Sequence, residues 1–403
     1  MGIVKGIEME QDDQGWNFST QFVCTGCVSD YALEAAIADE ASADEVCDFC
    51  GGGPAASMDV LLGAFFAGLR NEYGRADDEG VIWDGREGGY QMAATRDTWD
   101  LIGEFSDVLS GDGLVDAVRL LAHDTMWVER NFAWRRRDEV LDDAWARFCR
   151  TVKYETRYVI WLNEQTSSEE AAMTGEIPPA RILHDIGDLL TRLRLGVRVL
   201  DAGYSLWRAR THDGPGKTFD AGGLGTVPAD KAKQPNRMSP AGIPLFYGAE
   251  EMDTAIQEVS DGTTQCVTAG RFQTSQPCTV VDFTALPEVP SMFDPELGAD
   301  WRYLSFLHRF AAEVSKPIDP GDSNIDYVPT QILTEFFLRI FNSAGVDGIL
   351  YDSATVPGTV CAALDVPNDR CVEQTTGWDS SGELRLGLVA GSITMQKLPG
   401  ASP

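Results

Sequence analysis

The sequence predicts an α+β protein, with an all-α N-terminal region carrying a small cysteine knuckle and a mixed α+β C-terminal half. Three observations lead there. Apolar residues recur at helical spacing through residues 54–200. From Gly203 the pattern changes to short β-rich runs with helical runs between some of them. Two Cys-x2-Cys pairs precede both regions. The expected division is a cysteine segment over 1–55, a helical domain over 56–202 and an α+β domain over 203–403.

The cysteine segment comes first. Cys24 and Cys27 form one pair, and Cys47 and Cys50 a second, after nineteen intervening residues. Such spacing brings four thiolates within reach of one tetrahedral Zn²⁺, and four thiolates leave no open coordination position, so the expected ion is structural. Gly26 and Gly51 suit tight knuckle turns, and Asp30 to Asp39 reads as a short helix. Cys149, Cys266, Cys278, Cys361 and Cys371 follow no pattern.

The helical stripes follow. Ser57 caps a helix bearing Leu62, Phe65, Phe66 and Leu69. Leu101, Ile102, Phe105, Val108 and Leu109 form another stripe, and Leu114 to His123 a short helix. Trp134, Leu141, Trp145, Phe148 and Val152 suggest a longer one. Ile182, Ile186, Leu189, Leu193, Val197 and Leu200 give the clearest helical period, after a loop at 165–179. Trp83 to Tyr90 reads as a loop.

In the C-terminal half the expected strands are Leu206–Arg210, Pro244–Ala249, Thr264–Phe272, Cys278–Phe283, Asp347–Ser353, Val360–Leu364 and Leu384–Ile393. Helices are expected at Trp301–Val314 and Thr330–Asn342. The segment from Thr211 to Gln234 is rich in Gly, Pro and Lys without periodicity, and a loop that long inside a domain suggests a ligand grip. The tail from Pro399 is expected to fray. The stretch from Asn236 to Val259 organises this half. A Pro- and Gly-bearing turn leads into a short apolar strand ending near Tyr247, then into a helix that carries Glu258 beside its apolar face.

Composition narrows the partners. The 403 residues carry a formal charge of −31 and are 43% hydrophobic. So acidic a surface repels phosphate backbones, which argues against a nucleic-acid partner without a local basic patch. Arg135, Arg136 and Arg137 are followed at once by Asp138 and Glu139 and read as one solvated helix turn. There is no apolar run of about 18 residues, so no membrane span is expected. The start, MGIVKGIEMEQDDQGW, lacks an apolar signal core, and Gly6 breaks a myristoylation motif. The expected location is cytoplasmic, where nine cysteines do not imply a disulfide framework.

Several of these pieces occur together in one known family. LWRAR (206–210), NRMSPAGIPLFYGA (236–249), TAIQEV (254–259), VDFTAL (281–286), YVPTQILTEFF (327–337) and DGILYDSATVPG (347–358) stand in family order. Roughly residues 204–395 thus resemble a RES domain, named for an Arg, a Glu and a Ser. The N-terminal half is similar to the Cys-rich, HEPN-like helical region that precedes some RES domains. The Arg-to-His spacing of HEPN ribonucleases is missing, because Arg119 lies one residue too close to His123, so no nuclease is expected. The resemblance implies an ADP-ribosyltransferase-like fold that consumes NAD⁺. It implies a toxin or defence effector paired with an antitoxin or immunity protein, degrading NAD⁺ by hydrolysis or phosphorolysis. The alternatives are an ADP-ribosyltransferase acting on a protein, or an inactive zinc-bearing interaction module. Carried onto this chain, the Arg is Arg208 with Arg210 as rival, the Tyr is Tyr247, the Glu is Glu258 and the Ser is Ser353. The chain departs where members often carry Asn, and has Cys361.

The residue types suit that chemistry. Cleaving the nicotinamide–ribose bond develops positive charge on the sugar, which a carboxylate at Glu258 stabilises. Arg208 offers a planar fork to phosphate oxygens, and Arg237 is a further phosphate candidate. Tyr247 offers a face for stacking. Ser353 either bonds a phosphate, fixes Arg208 or caps a turn. No GxGxxG precedes a helix, so a Rossmann site is not expected.

Overall fold

In the computed structural model the described residues are 9, 11–163, 175–214, 217–260, 262–317, 322–341, 345–374 and 382–398. Most of the 165–179 loop, the Asn342 helix end and the tail from Pro399 lie outside them. The class is α+β, as expected, and the chain packs as two compact units. One comprises residues 1–139 and 288–305, the other 140–287 and 306–403. These divisions differ from the expected boundaries at 55 and 202.

In the first unit, β1 (Phe22–Val23) pairs antiparallel with β2 (Ala56–Ser57), closing the base of the cysteine segment. Asp30 caps the helix Tyr31–Glu40 by accepting from Ala32 and Leu33 N–H. Ser57 caps Met58–Glu72, which buries Leu61, Leu62, Phe65, Phe66 and Leu69. Phe293 comes back to this core from far along the chain and stacks on Phe65 at 5.3 Å. Trp301 and Arg302 both donate to Glu72, at 2.5 and 2.6 Å.

The expectation of an all-helical region needs correction. β3 (Tyr73–Arg75), β6 (Thr95–Asp97) and β7 (Met126–Glu129) form a three-stranded sheet, and β4 (Trp83–Asp84) pairs with β5 (Gly89–Tyr90). Segments of two to four residues are too short to show a period of two. The stripe at 101–109 is helical only through Thr98–Glu104, after which Phe105 to Leu109 continue as turns. Trp134 lies outside its expected helix, which runs Arg137–Tyr154. The three arginines there are partly neutralised, Arg136 reaching Glu139 at 2.5 Å.

The second unit is built on a ten-stranded sheet. Its strands are β8 (Val197–Leu200), β9 (Ser205–His212), β10 (Phe246–Ala249), β11 (Cys266–Thr274), β12 (Cys278–Asp282), β13 (Gly348–Asp352), β14 (Val360–Leu364), β15 (Cys371–Glu373), β16 (Leu386–Leu388) and β17 (Thr394–Lys397). The order is β15-β16-β11-β9-β10-β14-β13-β12-β8, with β17 on β11. The helical period at 182–200 is the second correction. The helix stops at Arg192, and Val197–Leu200 pairs antiparallel with β12. Arg194 and Gly196, at φ 54 and 74, break the helix between them. The run Leu384–Ile393 likewise holds only β16, because Gly391 at φ 73 turns the chain before β17.

The close approach at Gly68 generates a test. A Cβ there would lie 2.2 Å from the Phe293 ring and 2.9 Å from its Cα. Alanine gains about 1 kcal/mol of helix propensity, but forced overpacking costs about 1–3 kcal/mol. Since backbone as well as ring is in the way, Gly68→Ala should show a net loss in denaturant melts. Unchanged or higher stability would refute this packing.

Candidate active site

The site arises from a division in the large sheet. β9 pairs with β11 over eight residues, from Gln273↔Ser205 to Cys266↔His212. β10 pairs with β14 along all four of its residues. Between β9 and β10 themselves the pairing is Ala249↔Trp207 alone, among the described residues. Beyond it the strands diverge, and one edge of β10 has no strand beside it.

Arg208 fills that gap. Its Nη1 donates to the Tyr247 carbonyl. Its Nε donates to the carbonyls of Leu224 and Gly225, at 2.9 and 3.1 Å. Arg210 donates to the same two, at 3.2 and 2.5 Å. Both arginines thereby bind the end of the short helix Ala221–Leu224, where free carbonyls attract cations. Gly270 lets this strap lie against β11, since a Cβ there would stand 2.5 Å from Leu224 Cδ2. No carboxylate pairs with either arginine among the described residues. Burial, and then the adjacent Arg210, lower the Arg208 pKa to about 9.

The divergence opens a cavity of 1270 Å³, larger than the roughly 300–1,000 Å³ of ordinary small-molecule pockets. Its charged lining is Arg208, Arg210, Lys217, Lys231, Lys233 and Arg237 against Asp220 and Glu258. The whole chain has 32 basic and 63 acidic residues, so the local balance is reversed. Several of the cations come from 217–234, within the segment expected to grip a ligand.

Tyr247 and Glu258 stand on this cavity. The Tyr247 hydroxyl accepts from Met238 N–H at 3.1 Å and bonds Ser239 Oγ at 2.9 Å. Burial pushes its pKa up to about 12. The hydroxyl is thus committed to the turn at 236–239. That turn is held in place by Thr330 Oγ1 on the Arg237 carbonyl and Gln331 Nε2 on the Asn236 carbonyl, at 2.6 and 2.9 Å. Thr330 and Gln331 belong to the first turn of the helix Val328–Phe336, which thereby fixes this turn. Arg237 lines the cavity, while its Nη1 donates to the carbonyls of Val314 and Lys316 at the end of the helix Trp301–Ser315.

Glu258 is held on one oxygen. Its Oε1 accepts from Ser353 Oγ at 2.5 Å and Thr355 Oγ1 at 2.8 Å. Oε2 has no protein partner among the described residues. Ser353 is 7% exposed and is not part of the cavity wall. It sits behind Glu258, also accepting Val356 N–H at 3.0 Å. Of the roles weighed for it, turn capping is met; its contact is with Glu258 rather than Arg208. Cys361 is a small neutral wall residue, its thiol pushed up to about 12 by burial and then by Glu258.

Tyr351, Trp207 and the strap lysines were not singled out in the sequence. For Tyr351 a signal existed: it lies two residues before Ser353 in the expected strand Asp347–Ser353, hence on the same face.

The four paired cysteines converge in the first unit. Sγ–Sγ distances are 3.4 Å for Cys24–Cys50, 3.6 Å for Cys27–Cys47 and 3.9 Å for Cys24–Cys27. A tetrahedral ion with sulfur bonds of ~2.3 Å would set its ligands ~3.8 Å apart, so these residues fit one ion. Gly51 turns the second knuckle at φ 71; Gly26 has an ordinary backbone. Burial opposes ionisation of Cys47, but N–H groups led by that of Phe49 outweigh it and bring its pKa to about 7.

Comparison with known families agrees with the geometry. The model for the RES domain matches residues 205–384, and the one for HEPN/RES N-terminal domain 1 matches 40–166. The chain carries a RES domain. Its RES segment covers β9 to β15, the strap, Glu258 and Ser353. No curated protein and no solved structure matches the chain. Among the described residues no helix is long and apolar enough to cross a membrane.

The two arginines of this RES domain should differ in stability effect. Arg208→Ala strands the Tyr247 carbonyl, and an unsatisfied buried group costs about 1–3 kcal/mol. Arg210→Ala leaves its acceptors to Arg208 and should cost less. Chemical denaturation of both variants checks this; an equal or larger loss for Arg210→Ala would contradict the arrangement.

Proposed function

We propose that the RES domain cleaves the nicotinamide–ribose bond of NAD⁺, passing the ADP-ribosyl group to water or phosphate, as a toxin or defence effector. The observation that carries this reading is the pairing of a half-anchored carboxylate with unpaired cations in one cavity. Arg208 and Arg210 take the pyrophosphate. Tyr247 presents its ring to the nicotinamide end. Glu258 turns Oε2 to the ribose, with Oε1 fixed by Ser353 and Thr355.

The chemistry then follows. As the C1′–N bond breaks, its electron pair goes to the pyridine nitrogen, and neutral nicotinamide leaves. The sugar gains oxocarbenium character, which the Glu258 charge stabilises. Water or phosphate adds to C1′; with water, one proton is released.

Incubation of the full chain with NAD⁺ tests this. Free nicotinamide with ADP-ribose or its 1″-phosphate is the expected result. Label carried onto protein would instead support ADP-ribosyl transfer, and no nicotinamide with or without phosphate would support an inactive interaction module. Glu258→Gln should retain its melting temperature and lose roughly 10²–10³ in kcat, with KM changed far less. A folded variant within about threefold of the parent, far short of that loss, would remove Glu258 from the mechanism.

We further propose that Cys24, Cys27, Cys47 and Cys50 hold one structural Zn²⁺. Metal analysis should give one equivalent per chain, and Cys47→Ser should lower stability more than turnover. Well under one equivalent would sink the assignment. A Cys47→Ser chain that folds normally but has no turnover would move the metal into the active site.

A further inference from the structure

Tyr351 is the buried polar group of the cavity that the chemistry above leaves unused. It is 6% exposed and lines the cavity. Its hydroxyl has no hydrogen-bond partner among the described residues. Buried hydroxyls are ordinarily satisfied, so one that is open to a cavity awaits a ligand group.

Strand register defines its surroundings. Tyr351 lies opposite Cys361, Cys361 opposite Ala249, and Ala249 opposite Trp207. Partners in a ladder share a face, so this row is a floor of two small residues between two aromatics. Its three strand intervals span ~14 Å, room for a flat ring and its sugar. None of the four residues of this row is charged, while Glu258 and Arg237 stand near Tyr351 and Cys361. The cavity therefore joins an uncharged, partly aromatic floor for a ring to a wall that carries the arginines and lysines. On that floor Tyr351 is a hydrogen-bond donor. Burial, followed by the nearness of Cys361, Tyr247 and Glu258, raises its pKa well above the ordinary tyrosine value and keeps it protonated.

We infer that Tyr351 donates its hydroxyl proton in a hydrogen bond to the carboxamide oxygen of the bound nicotinamide, making it a specificity residue for carbonyl-bearing pyridine dinucleotides. This rests on the reading of the cavity as an NAD⁺ site. A ribose hydroxyl is the weaker alternative, because Glu258 already serves the sugar as acceptor. A phosphate would be drawn to the arginines and lysines of the wall.

The test compares NAD⁺ with the pyridine dinucleotide that lacks the carboxamide, in the full parent chain and in Tyr351→Phe. The variant loses only an oxygen with no protein partner, so its melting temperature should be unchanged. Its kcat/KM for NAD⁺ should fall about tenfold, the worth of one hydrogen bond, mainly through KM. For the analogue it should stay the same. An equal loss on both substrates, or no loss on NAD⁺, would overturn the assignment. If the parent cleaves neither dinucleotide, the proposed activity fails, and Tyr351 is then read from binding. Calorimetry should show NAD⁺ bound about tenfold more weakly by the variant and the analogue unchanged; equal NAD⁺ affinities would overturn the role.

Discussion

The hydrogen bond from Arg208 to the Tyr247 carbonyl is the contact on which the RES domain's site depends. A strand inside a sheet satisfies both of its edges. β10 satisfies one, and where β9 turns away a side chain takes the place of the missing neighbour. The same guanidinium holds the strap at Leu224 and Gly225. One residue thus sets the width of the opening and the position of its rim. Tyr247, held by its own hydroxyl, cannot follow β9, so the opening is fixed from both sides.

That arrangement has an electrostatic cost. A buried cation normally acquires a carboxylate, and this chain has many. None reaches Arg208 or Arg210 among the described residues; neutral carbonyls face both, and the Phe246 ring centroid lies 5.1 Å from the Arg208 guanidinium. An anionic ligand would relieve this cost directly, so stability and affinity are coupled at the same two side chains. Across the cavity Glu258 keeps one oxygen uncommitted in the same manner. The cavity thus carries incompletely paired charge of both signs.

Much of this was legible in the sequence, for physical reasons that can be named. The Cys-x2-Cys pairs were readable because metal geometry constrains local spacing. β9 to β14 were readable because each is bounded by turn residues. Tyr247, Glu258 and Ser353 stand in ordered motifs, and the structure brings Ser353 onto Glu258. What escaped was decided by contacts distant in sequence. Val197 and Leu200 continue the helical period of Ile182, and only pairing with β12 makes them a strand. Phe293 joins Phe65 across more than half the chain, and nothing local to 288–305 indicates it. Arg208 reads as a phosphate ligand; its second duty, to Tyr247, requires knowing that β9 and β10 part.

A crystal structure of the Glu258→Gln chain with intact NAD⁺ tests the central claim most directly. The account predicts the dinucleotide in the opening between β9 and β10, with its pyrophosphate on Arg208 and Arg210 and its nicotinamide against Tyr247 and Tyr351. A dinucleotide bound elsewhere, or lying in the cavity with adenine at the tyrosines, would contradict it.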